Sequence, residues 1–130
     1  MNTAPMFRTG IAAIPLYFAM AGVGKAADDP AAAACHPKDT TVAIVDCLDG
    51  LAAQSDKRLN AAYQAALKAS ESPARKDALI RAERAWLAYR QENCGWYGAQ
   101  EGTISEVEGA DCMLDMTGAR ALELGQATQR

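Results

Sequence analysis

Residues 78–94, ALIRAERAWLAYRQENC, constrain the fold more than any other part of the chain. Leu79, Ala82, Trp86, Tyr89 and Asn93 recur at steps of three and four, which places them on one stripe of an α-helix. Arg81, Glu83, Arg84 and Glu92 fall largely on other faces. Trp86 and Tyr89 bury large areas when they bury at all, so they mark the stripe as core-facing. The helix runs directly into Cys94 and then Gly95. A core helix ending on a cysteine points to an element fastened covalently at that end.

The N-terminus reads as a leader and is set apart from the fold. Arg8 is the only charge ahead of Lys25, and the apolar run from Ile11 to Val23 is shorter than the roughly 20 residues a bilayer span needs. Gly24-Lys25-Ala26 offers small residues at the positions a signal peptidase reads, so cleavage is expected after Ala26. Ala32-Ala33-Ala34-Cys35 crudely resembles a lipidation site, but Lys25, Asp28, Asp29 and Pro30 separate it from the apolar run. The expected division is a signal peptide over 1–26, an extended lead-in over 27–40 and a helical domain over 41–130. The chain carries a net charge of −3, and loss of the leader removes Arg8 and Lys25 but no acid. A negative mature protein with no basic stripe is expected to avoid nucleic acid and to favour basic partners. No stable membrane insertion is expected after cleavage, and the location is periplasmic or secreted.

Along the mature chain the apolar period through Ile44, Leu48, Leu51, Leu59, Tyr63 and Leu67 predicts a long first helix over Thr41–Ala69, capped from Asp39, Thr40 or Thr41. Ser70 to Pro73 breaks it, with Ser72 as N-cap and Pro73 in the first helical position of a second helix reaching about Cys94. So short a connection predicts antiparallel packing. The glycine-rich stretch 95–103 reads as the main loop. Ser105 and Glu108 form a capping-box pattern for a short helix, and Thr117 recaps a last segment. The fold class is all-α: a small disulfide-stapled antiparallel helical hairpin with one or two shorter C-terminal helices.

The four cysteines, Cys35, Cys47, Cys94 and Cys112, form an even set in a small exported chain and read as disulfides. All of them can reach one end of the bundle. Sequence alone does not choose the pairing, and the preferred reading is Cys35–Cys94 with Cys47–Cys112. A metal site is disfavoured, because there is no CxxC pair and His36 is the lone histidine.

Several spaced elements resemble one family. Asp56-x-x-Leu59-Asn60-x-x-Tyr63 lies on the first helix, and Arg84-Ala85-Trp86-x-x-Tyr89-Arg90 followed by Cys94 on the second. Gly102-Thr103-Ile104, Cys112 and Thr117-x-x-Arg120-Ala121-x-x-Leu124 close the chain. Together these are similar to the LprI-type lysozyme-inhibitor domain family of small exported bacterial proteins, over nearly the whole mature chain. Two positions depart from the family pattern: Glu83 stands where Gln is usual, and Glu101-Gly102-Thr103 where a Gly-Gly-Ser loop is usual. The resemblance implies an all-helical fold and binding of a lysozyme-type glycosidase with blockage of its cleft. The alternative is a non-inhibitory envelope protein-binding module, an adaptor or immunity-type partner.

Individual residues carry further expectations. Asn60 is expected to bond the Trp86 indole or a nearby backbone carbonyl. Asp56, Arg90 and Arg120 either form an ion-pair cluster between helices or remain solvated. Trp96 and Tyr97 either anchor a partner or fold back as a lid over the disulfide end. Glu101, Glu106, Glu108 and Asp111 make either an acidic patch that meets a basic muramidase or an ordinary solvated face. Thr103 or Ser105 is placed to offer a hydroxyl to a catalytic acid of the partner. No catalytic constellation, phosphate loop or metal-ligand spacing is present, so neither enzymatic activity nor a cofactor is expected. N-terminal sequencing of protein recovered from the cell envelope is expected to begin at Ala27 with Ala-Asp-Asp-Pro. A start at Met1 or at Cys35 would overturn the leader assignment.

Overall fold

The structure is a computed structural model and describes residues 30–129; the expected leader and its expected cleavage point lie outside the described residues. The described part is all-helical: α1 (Pro30–Ala33), α2 (Thr41–Ala69), α3 (Pro73–Gly98) and α4 (Ile104–Ala127). The lead-in, expected to be extended, holds the single turn α1. The C-terminal part is one helix, α4, shorter than α2 and α3 as expected but unbroken at Thr117. Thr117 does not recap it: its hydroxyl donates to the Met113 carbonyl at 2.6 Å from inside an unbroken helix.

Local chemistry sets the helix starts. The Thr40 side chain accepts from the Ala43 N–H and the Ser72 side chain from the Arg75 N–H, with Pro73 in the first turn where its missing N–H costs nothing. Ser70 ends α2, its hydroxyl donating back to the Ala66 carbonyl at 2.9 Å.

α3 runs antiparallel to α2, as the short connection requires, but the two barely approach each other; α4 packs against both and most extensively against α2. The expected hairpin interface is therefore replaced by an α2–α4 seam. Leu48, Val107, Ala110 and Leu114 fill one end of this seam beneath Ala32 and Cys35, and Leu59, Ala121 and Leu124 fill the other, packed by Tyr63, Leu79 and Trp86.

The reason lies in the inward stripe of α3. It is not the expected Leu79–Ala82–Trp86–Tyr89 line: Tyr89 is 60% exposed, and Ala82 is exposed as well. The stripe is rotated to Leu79, Glu83, Trp86, Arg90 and Cys94, so charge as well as hydrocarbon meets the neighbouring helices. Glu83, only 6% exposed, accepts from Arg120 Nε and Nη2, each at 2.9 Å. Arg90 Nη1 donates to Thr117 Oγ1 at 2.7 Å and contacts Asp56 Oδ1 at 3.3 Å. Both guanidinium groups flank the Trp86 ring, at 5.0 and 5.8 Å from its centroid. The expected cluster thus exists in altered form, with Arg120 serving Glu83 and Glu123 instead of Asp56. Asn60 makes none of its expected bonds; it is exposed and its amide donates to Asp56.

The disulfides correct the expected pairing. Cys35 joins Cys47, and Cys94 joins Cys112. Because α4 rather than α2 lies against the end of α3, Cys94 faces α4 and finds Cys112. The chain between residues 36 and 40 folds back, so Cys35 meets the second turn of α2.

Removing one member of a buried ion pair strands the other charge. Glu83→Ala is expected to lower the unfolding free energy by about 3 kcal/mol in a denaturant melt, at the low end for buried pairs because Glu123 still serves Arg120. Glu83→Gln, which keeps an acceptor, is expected to cost less.

Candidate functional site

The end of the molecule that carries Cys94–Cys112 gathers most of the residues that sequence marked for binding. α3 continues to Gly98, so Trp96 and Tyr97 stand on a helix turn and not in a loop. Trp96 is 64% exposed and meets Tyr97 edge-to-face at 4.9 Å. The lid placement is thereby excluded, and a rigid aromatic pair faces solvent.

Position here is fixed by close backbone approach as well as sulfur. A Cβ on Gly109 would lie 3.3 Å from the Gly98 Cα and 3.5 Å from the Cys94 carbonyl oxygen, so α3 and α4 cross where neither has a side chain. The connection from α3 to α4 turns at Gly102, whose φ of 94° lies in the left-handed region that glycine alone enters freely. Glu101 and Thr103 on this connection are exposed.

Ser105 is not available to a partner. It is 3% exposed, and its hydroxyl donates to the Gly102 carbonyl at 2.7 Å. The expected capping box is also absent: α4 starts at Ile104, Thr103 is its N-cap residue and makes no side-chain cap bond. Of the two expected hydroxyls, only Thr103 remains accessible.

Beside the aromatic pair lies a cavity of about 530 Å3, with Asn93, Tyr97, Glu108, Asp111 and Met116 on its walls. Asn93 donates to Cys112 Sγ and Met116 Sδ at 3.5 and 3.4 Å, which pins the α3 side of the cavity to the α4 side. Asp49 and Glu106 share a shallow depression beside Cys94. With Glu92 and the exposed Glu101, these residues make the pole acidic, whereas Arg75, Lys76, Arg81 and Arg84 occupy the opposite half of α3. The molecule is thus electrically polarised end to end.

His36 has a role that its sequence position did not reveal. Its Nε2 lies 3.4 Å from Asp111 Oδ1, tying the lead-in to α4 at the rim of the cavity. Burial pushes the Asp111 carboxyl above the usual carboxylate range, and His36 partly opposes this through charge and hydrogen bonding. Among the described residues no group of His, Cys, Asp and Glu side chains is placed to hold a metal, and no helix is long and apolar enough to cross a membrane.

A family model described as lysozyme inhibitor LprI matches residues 31–124. No curated protein and no solved structure matches the chain.

A carboxyl raised by burial binds its proton more tightly in the native state than in the unfolded one. Its ionisation therefore subtracts from stability at neutral pH, and the penalty is relieved as pH falls through the raised value toward the ordinary Asp range. An NMR titration is expected to place Asp111 above a typical surface aspartate, and higher still in His36→Ala. An unchanged midpoint in that variant would mean that the pair carries no charge interaction.

Proposed function

The chain belongs to the lysozyme inhibitor LprI family, and from that membership we propose that it is an exported protein whose acidic pole binds a lysozyme-type glycosidase and occludes its cleft. The observation that carries the reading is the exposed Trp96–Tyr97 pair set among carboxylates at one rigid end of the molecule. Large aromatics with little conformational entropy to lose are the usual anchors of a protein interface, and charge around them steers encounter. Glycosidases of this class present a cleft flanked by two carboxyl groups, and many muramidases are basic elsewhere. An acidic inhibitor pole meets that basic surface, and an aromatic anchor fills a sugar subsite.

Roles follow from accessibility. Trp96 and Tyr97 insert, and Glu101 with Glu106 forms the charged rim. Thr103 supplies the one accessible hydroxyl on the connecting turn. The cavity beside Tyr97, walled by Glu108 and Asp111, takes a lysine or arginine side chain of the partner. Nothing in this arrangement calls for catalysis by the chain itself. Two disulfides suit an oxidising compartment, in keeping with a periplasmic or secreted location.

The test is a cell-wall lysis assay with several lysozyme types and purified mature protein. Inhibition is expected, with Trp96→Ala weakening it by about 30-fold, an anchor-sized loss of roughly 2 kcal/mol. Glu101→Ala is expected to slow association and to flatten the salt dependence. Absence of inhibition at micromolar excess over every lysozyme tested would remove this reading in favour of a non-inhibitory envelope binding module.

A further inference from the structure

The face of α2 and α3 that α4 leaves uncovered forms a separate groove of about 490 Å3, which runs from Arg90 back along α3 away from the aromatic pole. Leu59, Ile80 and Leu87 give it apolar walls, and Asp56, Tyr63, Glu83, Arg84 and Arg90 supply its polar groups. Several of these are the residues that carry the family resemblance; Leu59 and Tyr63 also pack the core behind the groove, whereas Arg84 stands exposed on its wall. The volume lies in the range of small-molecule sites.

The hydrogen-bonding inventory of the groove is lopsided. Both carboxylates are already engaged: Asp56 accepts from Arg90 and Asn60, and Glu83 accepts from Arg120. Among the charged groups the unmatched ones are donors, beside the unmatched side-chain carbonyl oxygen of Asn60. Arg84 makes no hydrogen bond or ion pair among the described residues, and neither does the Tyr63 hydroxyl. Arg90 Nε is buried without an acceptor. The antiparallel register that brings Asp56 to Arg90 sets Tyr63 level with Arg84 across the groove. Surplus donors select an anion, and a guanidinium fork suits a planar carboxylate that it can grip with two parallel bonds. Asp56 and Glu83 on the same walls repel a dianion such as phosphate more than a monoanion.

We propose that this groove binds a monocarboxylate carried on an apolar chain. Arg84 takes the carboxylate, the Tyr63 hydroxyl donates a further bond, and the apolar chain lies against Ile80 and Leu87. The site is separate from the lysozyme contact and does not depend on it.

The probe is decanoate, with decanol as its neutral counterpart and inorganic phosphate as the headless dianion. All are titrated into isotopically labelled mature protein and followed by amide shifts. Decanoate is expected to produce saturable shifts centred on Tyr63 and Arg84, with decanol bound about tenfold more weakly and phosphate not at all. Arg84→Gln is expected to bring decanoate down to the decanol level while leaving its circular dichroism unchanged, since Arg84 is exposed and unpaired. Leu87→Asp is expected to weaken decanoate and decanol alike. The proposal is overturned by equal binding of decanoate and decanol, by shifts centred on the disulfide pole, by an Arg84→Gln variant that binds as the parent does, or by no saturable binding.

Discussion

The contact between Glu83 and Arg120 decides the shape of this protein. An amphipathic helix ordinarily joins its neighbours through a continuous apolar stripe. α3 cannot, because its inward line alternates hydrocarbon with charge. It is held by a buried carboxylate–guanidinium pair, by the Arg90–Thr117 bond and by Cys94–Cys112. Each is directional and short-ranged, so each fixes α3 to α4 at a point instead of pressing it along its length into α2. The open groove between α2 and α3 follows from that substitution, as does the dominance of the α2–α4 seam.

The same economy separates two kinds of surface. Where sulfur and close glycine approach make the structure stiff, the exterior is acidic and aromatic. Where ion pairs leave a gap, it is lined with arginine and apolar side chains. A chain this small gains little from a single core, and its covalent staples lie at the end that the proposed partner contacts. Rigidity there reduces the ordering cost of association.

Much of the architecture was legible in the sequence for identifiable reasons. The boundaries of α2 followed from apolar period and from the Ser72–Pro73 signal, because caps and proline act locally. The facing of α3 was misread because Trp86 and Tyr89 both fit the helical period, and period alone cannot say which of two overlapping stripes is inside. The deciding signal was Glu83: a carboxylate buried there makes sense only with a cation facing it. The disulfide pairing differs from the preferred one because spacing places all four cysteines at one end of the bundle and does not rank the partners there; the path of the lead-in and the α3–α4 contact decide it. At the candidate site, the exposure of Trp96 and Tyr97 depended on α3 extending a further turn through two glycines, which local propensity argues against. The burial of Ser105 depended on the turn at Gly102, and the partnership of His36 with Asp111 on the path of the lead-in. Neither leaves a mark in spacing.

The order of the bridges along the chain has a consequence for biogenesis. Cys35 pairs with Cys47 and Cys94 with Cys112, so each thiol meets the very next one to emerge when the polypeptide is threaded N-terminus first into an oxidising space. The first loop can close before α3 exists outside, and the second has no unspent competitor when its turn comes. Consecutive pairing of this kind is the connectivity that oxidation in order of emergence favours.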